Sequence, residues 1–164
     1  MALDRTRTLR GALAGSAAAA VWLAQMPLDK LLFDCDYDDA ELLGGLAGDG
    51  GPAVGTLLHL GNGAAFGAVY ATVAPRLPIP AVLRGPVAGL AEHLLTWPAM
   101  ALIDADLARN PRAFLQSAWR HLLFGAVLGE LERRLNGPAE LQPVSDEAVA
   151  SNGHGSAAHL VATR

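Results

Sequence analysis

LRGALAG (9–15) and LRGPVAG (83–89), together with HLGNGAAFG (59–67) and HLLFGAVLG (121–129), are the stretches whose reading decides how this chain folds. Each carries a glycine pair at GxxxG spacing: Gly11/Gly15, Gly85/Gly89, Gly63/Gly67 and Gly125/Gly129. In an apolar helix, glycines four residues apart leave a flat strip on which a second backbone approaches closely, which is how helices associate in lipid. The pairs form two matched couples, so the chain reads as one two-helix unit written twice.

The repeat extends past the glycines. LFDCD (32–36) closes the first apolar run much as LIDAD (102–106) closes the third, with Pro27 and Pro98 at nearly equal distances before them. Two spans per unit return the chain to the same side, so the halves are expected to have parallel topology about a pseudo-two-fold axis along the membrane normal.

Composition sets the solvent. Of 164 residues, 52% are hydrophobic and only 17% charged, and the mean hydropathy is +0.29. A soluble bundle needs a charged face on each helix, yet residues 50–75 contain no Asp, Glu, Lys or Arg. The expectation is an all-α integral membrane domain over residues 1–135, a four-helix bundle of two tandem repeats (about 9–74 and 82–135). Spans are placed at 9–33, 53–74, 82–103 and 114–131, each near the roughly 20 residues needed to cross the hydrocarbon core. The last two carry Glu92, His93, Arg120 and His121. A charge at mid-span costs about 2.5–3.5 kcal/mol on an insertion scale, so these groups are expected to face protein. Residues 136–164 turn to Gly, Pro, Ser, Asn, Glu and Asp without apolar periodicity, the pattern of a disordered cytoplasmic tail. His154 and His159 fall there and read as incidental.

Basic residues orient the spans. Arg5, Arg7, Arg10, Arg76, Arg84, Arg133 and Arg134 lie on one side, and Lys30, Arg109 and Arg112 on the other. By the positive-inside rule both termini are cytoplasmic, and the acidic loop 34–51, with Asp34, Asp36, Asp38, Asp39 and Glu41, faces outward. A secretory signal is set aside, because the first apolar run has a counterpart from Leu83 onward and no clean small-x-small site falls near residues 21–25.

The formal net charge of −4 and the lack of a basic stripe with interleaved aromatics exclude a nucleic-acid partner. Cys35 is alone, which rules out an internal disulfide and a cysteine-built zinc site. No nucleophile elbow, P-loop, dinucleotide fingerprint or HExxH occurs, so no enzymatic activity is expected.

The polar residues inside the apolar runs are the candidate site. His59 lies four residues before Gly63, His121 four before Gly125, and His93 four after Gly89, so each histidine shares a face with its glycine strip. At about 1.5 Å per residue the three fall within roughly 10 Å of one another in depth. Asn62 and Glu92 sit beside them. The leading reading is a helix-packing or partner-binding module whose histidine layer hydrogen-bonds between helices, with lipid and a second copy or another membrane protein as partners and no cofactor. One alternative is a transporter or proton-coupled permease subunit acting as an oligomer. There Glu92, whose repeat counterpart is Ala18, is the ionisable group within a span. Another is a metal or haem carrier with His59, His93 and His121 as ligands. The pairs Asp34/Asp36 and Asp104/Asp106 read as solvated interfacial acids near Arg109 and Arg112 rather than a calcium or magnesium site. Trp22, Trp97 and Trp119 read as interfacial or packing residues.

HLGNGAAFGAVYATVAPRLP (59–78), RGPVAGLAEHLLTWPAM (84–100) and HLLFGAVLGELERRL (121–135) resemble the YagU-type group of small bacterial inner-membrane proteins, most specifically in the glycine pair followed by His93 and then Pro98-x-Met100. The resemblance covers spans two to four best. It implies a multi-pass protein of the bacterial cytoplasmic membrane and brings His59, His93 and His121 forward without assigning them a task. The acidic loop and the Gly/Ser tail depart from that pattern.

Overall fold

The computed structural model describes residues 4–48 and 50–137, and the expected tail from residue 138 onward lies outside the described residues. The chain is all-helical, with no strand among the described residues. Four long helices, α1 (Arg5–Phe33), α3 (Gly51–Val73), α4 (Ala81–Ile103) and α6 (Pro111–Asn136), are joined by two short ones, α2 (Asp39–Leu46) and α5 (Ala105–Arg109).

Local chemistry sets the boundaries. Asp4 caps α1 by accepting the Arg7 backbone N–H at 3.1 Å, which satisfies one of the donors that the first turn of a helix leaves unpaired. The helix stops where Asp34 turns left-handed, φ 49°, a conformation that a short polar side chain tolerates. Proline opens α3 and α6, where its missing N–H costs nothing and its φ is already helical. Asn110 caps α6 through the backbone N–H groups of Arg112 and Ala113.

The acidic stretch after α1, expected as an outward loop, is corrected by α2. Asp38 caps this helix by accepting from Glu41 N–H, and Asp39, Ala40 and Gly44 are buried. The helix lies against the start of α3, where a Cβ on Gly55 would fall well inside contact distance of the Ala40 carbonyl.

The glycine strips mark where the long helices meet. Gly63 faces Gly15, whose carbonyl oxygen would lie 2.7 Å from a Cβ at residue 63, and Gly67 faces Gly11 and Gly15. On the other pair, Gly125 faces Gly85 and Pro86, and Gly89 faces His121 and Gly125. Both pairs, α1/α3 and α4/α6, are therefore antiparallel. α1 also packs along α6, which places the four long helices in the order α3, α1, α6, α4. The α3 and α4 flanks, at the two ends of that order, are left facing a cleft.

Gly129 also faces Gly85 but is less covered than the rest. The other seven glycines of the strips are buried, whereas Gly129 is only half-buried. A Cβ there would lie 3.1 Å from the Gly85 Cα and 3.2 Å from the Tyr70 hydroxyl of α3, a looser fit than at Gly125, where the Gly85 carbonyl carbon would be 2.8 Å away. The cause is the start of α4 at Ala81, one turn before Gly85, so little of that helix extends past Gly129 to cover it. Gly129 instead borders a second cavity, beside Tyr70, Arg84 and Glu132.

The core holds apolar residues such as Trp22, Phe124 and Leu128 together with buried polar ones, and many leucines stand on the surface. The fully buried side chains include Arg120, His93, Gln116 and Asp29, while Leu31, Leu95 and Leu102 are 82%, 80% and 89% exposed. Arg5–Phe33 and Gly51–Arg76 are each long and apolar enough to cross a membrane. α4 and α6 have 23 and 26 residues, and their polar groups gather at the site described next.

Candidate functional site

Arg120, near the middle of α6, is completely buried and is held by carboxylates from two other helices. Its Nε and Nη2 donate to Asp29 of α1, both at 2.6 Å. Its Nη1 donates to Asp39 of α2 at 2.6 Å, and Nη2 also reaches the Tyr37 carbonyl at 3.0 Å. The remaining lone pairs are used as well. Gln116 Nε2 and the Gln25 amide donate to Asp29, and the Tyr37 hydroxyl (2.6 Å) and Trp22 Nε1 (3.0 Å) donate to Asp39. A buried guanidinium needs such saturation, because an ion taken from water without paired partners costs several kcal/mol. This explains why Asp39 is drawn out of solvent and why α2 folds back onto the molecule. Burial and the adjacent Asp39 carboxylate push the Tyr37 hydroxyl above its ordinary range, so it stays a neutral donor to that carboxylate.

The three histidines of the apolar helices lie beside this cluster. Trp22 stands between two of them, with ring centroids 4.9 Å from His59 and 4.6 Å from His121. His93 faces His121 at 5.1 Å and packs on Phe114 at 4.7 Å and Trp97 at 5.3 Å. His121 Nδ1 lies 2.8 Å from the Ser117 carbonyl. A carbonyl only accepts, so Nδ1 carries the proton, and in the neutral ring Nε2 is left as the acceptor. The Ser117 hydroxyl sits 3.2 Å from His93 Nδ1 and links the two imidazoles. Because the Trp22 indole separates His59 from His121, the imidazoles do not converge on one point, and no group of three His, Cys, Asp or Glu among the described residues is placed to hold a metal. His59 Nε2, His93 Nε2 and Gln116 Oε1 are buried without a hydrogen-bond partner.

The cleft between α3 and α4 encloses about 260 Å³. α3 contributes His59 and Asn62, α4 contributes Glu92, Thr96 and Trp97, and Trp22 and His121 form the back wall. Leu42, Leu43 and Leu46 of α2 cover one end, beside Asp39. Asn62 is on the exposed face of α3, and it lines the cleft together with Glu92 of α4. The structure thus brings His59, Asn62, Glu92 and His121 to one cavity, while His93 lies behind it, sealed by aromatic rings.

The other polar expectations fall elsewhere. Asp34 pairs with Arg112, Asp106 lies 3.7 Å from Arg109 in an exposed pair, and Asp104 caps α5, so all three acids stand on the surface. Lys30 pairs with Asp38 at 2.8 Å. Trp119 bonds Gln25 at 3.2 Å on the outer surface. At the opposite end of the molecule Arg7 pairs with the buried Glu132 and donates to the Ala71 carbonyl at 2.8 Å, fastening the start of α1 to the ends of α3 and α6.

Sequence reading passed over Asp29, Gln116 and the burial of Asp39. The available signal was Arg120 itself, a full charge in an apolar helix that required a carboxylate from some other element. Comparison of the chain with protein-family models, with curated proteins and with solved structures finds no match.

Proposed function

We propose that this chain is a multi-pass membrane protein of four spanning helices, built as two tandem GxxxG hairpins, α1/α3 and α4/α6, and that it works as a binding module through the cleft between α3 and α4. The leucine-rich exterior supports the membrane reading, because exposed apolar surface of this extent is what lipid covers. The cationic residues support an orientation with both termini in the cytoplasm, and the YagU-type resemblance supports the bacterial inner membrane.

The observation that carries the binding role is the His59 Nε2, buried and without a partner in the wall of a cavity whose opposite wall presents Glu92. A buried polar atom left unsatisfied costs about 1–3 kcal/mol, and a ligand that bonds it recovers that cost. The repeat explains why the cavity is open. If α1 corresponds to α4 and α3 to α6, the α1–α6 contact and the α3–α4 flank are equivalent. Ala18, the counterpart of Glu92, is fully buried with Ala14 on the face that carries Asp29 toward α6. Small side chains let that flank close, whereas Glu92 holds the other apart and polar.

Cysteine scanning tests both parts. In a Cys35→Ser background, Asn62→Cys and Thr96→Cys in the native membrane should react with a small polar maleimide, whereas Leu95→Cys on the exterior and the buried Leu128→Cys should not. Labelling of Leu95→Cys, or recovery of the chain in the soluble fraction, would overturn the membrane reading. Unreactive Asn62→Cys and Thr96→Cys would overturn the open cleft.

A further inference from the structure

The charge around the cleft does not balance. Its lining contains Asp39 and Glu92 and no Lys or Arg. The nearest guanidinium, Arg120, is shared between Asp29 and Asp39, so that cluster carries one more carboxylate than cation. Lys30 is engaged by Asp38. Glu92 shares the lining with the neutral Asn62 amide, and no cationic side chain joins it there. His59 adds an unpaired ring nitrogen, and Trp22 and Trp97 add indole rings. The rest of the wall is apolar, including Met100, Ile103 and Phe124.

We infer that the α3–α4 cleft is a site for an organic ammonium group with an apolar body, its charge placed between Glu92 and the Asp39 end and its body against Trp97, Met100 and Ile103. An ammonium brings a positive charge and N–H donors together. The charge answers the excess of carboxylate, one donor answers the His59 Nε2, and indole faces attract cations further, by about 0.5–2 kcal/mol where water is excluded. A carboxylate-bearing ligand would meet like charge on both sides, and a neutral alcohol would leave the excess uncompensated. The inference rests on the cleft being a binding site, as proposed above. The same chemistry is offered by a free small amine and by the ethanolamine head of a phospholipid.

The test uses the full chain in a nonionic detergent, with octylammonium, octanol and octanoate as probes and tryptophan emission as the readout, since Trp22 and Trp97 both line the cleft. Octylammonium should saturate, with an apparent affinity at least about ten-fold above octanol, which is the worth of one modest charge-assisted contact, and octanoate should not saturate. Glu92→Gln should weaken octylammonium by about ten-fold or more at unchanged helical circular dichroism. Ala99→Trp, which fills the mouth and leaves Glu92 in place, should abolish saturation. Transfer to nanodiscs of phosphatidylethanolamine, but not of phosphatidylglycerol, should block octylammonium if the lipid head is the natural occupant. Unblocked binding in both assigns the site to a free amine.

Octanol or octanoate saturating as well as octylammonium, with Glu92→Gln without effect, would overturn the ammonium class while leaving the cleft a binding site. Saturation by no probe, together with unreactive Asn62→Cys and Thr96→Cys, would overturn both.

Discussion

Arg120 and Asp29 hold each other in bidentate geometry, with Nε to Oδ2 and Nη2 to Oδ1 both at 2.6 Å and neither side chain exposed. The pair ties α6 to α1 in the interior of the molecule. Removing one member of a buried ion pair strands the other, at about 3–5 kcal/mol. Asp29→Asn and Arg120→Gln should each lower the unfolding free energy in micelles by that amount, read from denaturant titration. The double variant should cost clearly less than the sum, since neither ion is then left alone. Additive losses would mean that the two side chains contribute independently.

How much of this could be read beforehand depended on whether the determining interaction was local. The all-helical class was legible because apolar runs of spanning length with glycine every fourth residue leave few other solutions. The Arg120 cluster was not legible. Its carboxylates lie 91 and 81 residues earlier in the chain, and Asp39 sits among four other acids, a composition that reads as a solvated loop. Pairing with a buried guanidinium outweighs that local preference and draws the segment into α2. Asp29 was hidden differently, as one acid beside Lys30 near the end of a long apolar run. The GxxxG spacing located the helix contacts but not their ends: Gly129 has the same spacing as its fellows and loses cover only because α4 starts where it does. The cleft was half legible. Glu92 was marked by its mismatch with Ala18, but which flank stays open follows from packing that only three dimensions fix.

Glycine positions divide sharply by neighbour. A Cβ at Gly63 would fall 2.7 Å from both the Ala19 Cβ and the Gly15 carbonyl oxygen, and at Gly125 3.2 Å from the Pro86 Cα, whereas Gly61 on the same helix as Gly63 has nothing within 4 Å. Gly63→Leu and Gly125→Leu should therefore separate the paired helices and lower thermal stability more than His59→Ala or His121→Ala, if the histidines only link helices. Gly61→Ala should be neutral or stabilising by about 0.5–1 kcal/mol, because it restricts the unfolded chain in a position that accepts a Cβ. A histidine variant as damaging as the glycine variants would instead argue that a ligand is lost.

Acid should loosen the α2 end first. Burial raises the Asp38 carboxyl, but hydrogen bonds from Lys30 and from the backbone N–H of Glu41 more than offset it and hold the group below its ordinary value of 3.8. A carboxyl depressed by folding contributes stability that is present in full above its unfolded value and is lost as the pH falls through the folded one. Unfolding free energy should thus fall less steeply below pH 3.8 in Asp38→Asn than in the parent chain, with both profiles parallel above it. Parallel profiles throughout would remove Asp38 as a source of the slope.

Trp22 joins the ion cluster to the histidine layer. Its Nε1 donates to Asp39 at 3.0 Å while its ring packs between His59 and His121. Trp22→Phe keeps an aromatic ring and loses the donor, which should cost about 1.5–3 kcal/mol, the range for a hydrogen bond to a charged group. Trp22→Ala also opens a cavity and should reach about 3–5 kcal/mol. The decisive comparison is made in an Asp39→Asn background, where the acceptor is no longer charged. If Trp22 acts through that carboxylate, Trp22→Phe should then cost about 1 kcal/mol or less. An unchanged penalty would place its contribution in the ring contacts with the histidines, and the indole would serve the layer rather than the cluster.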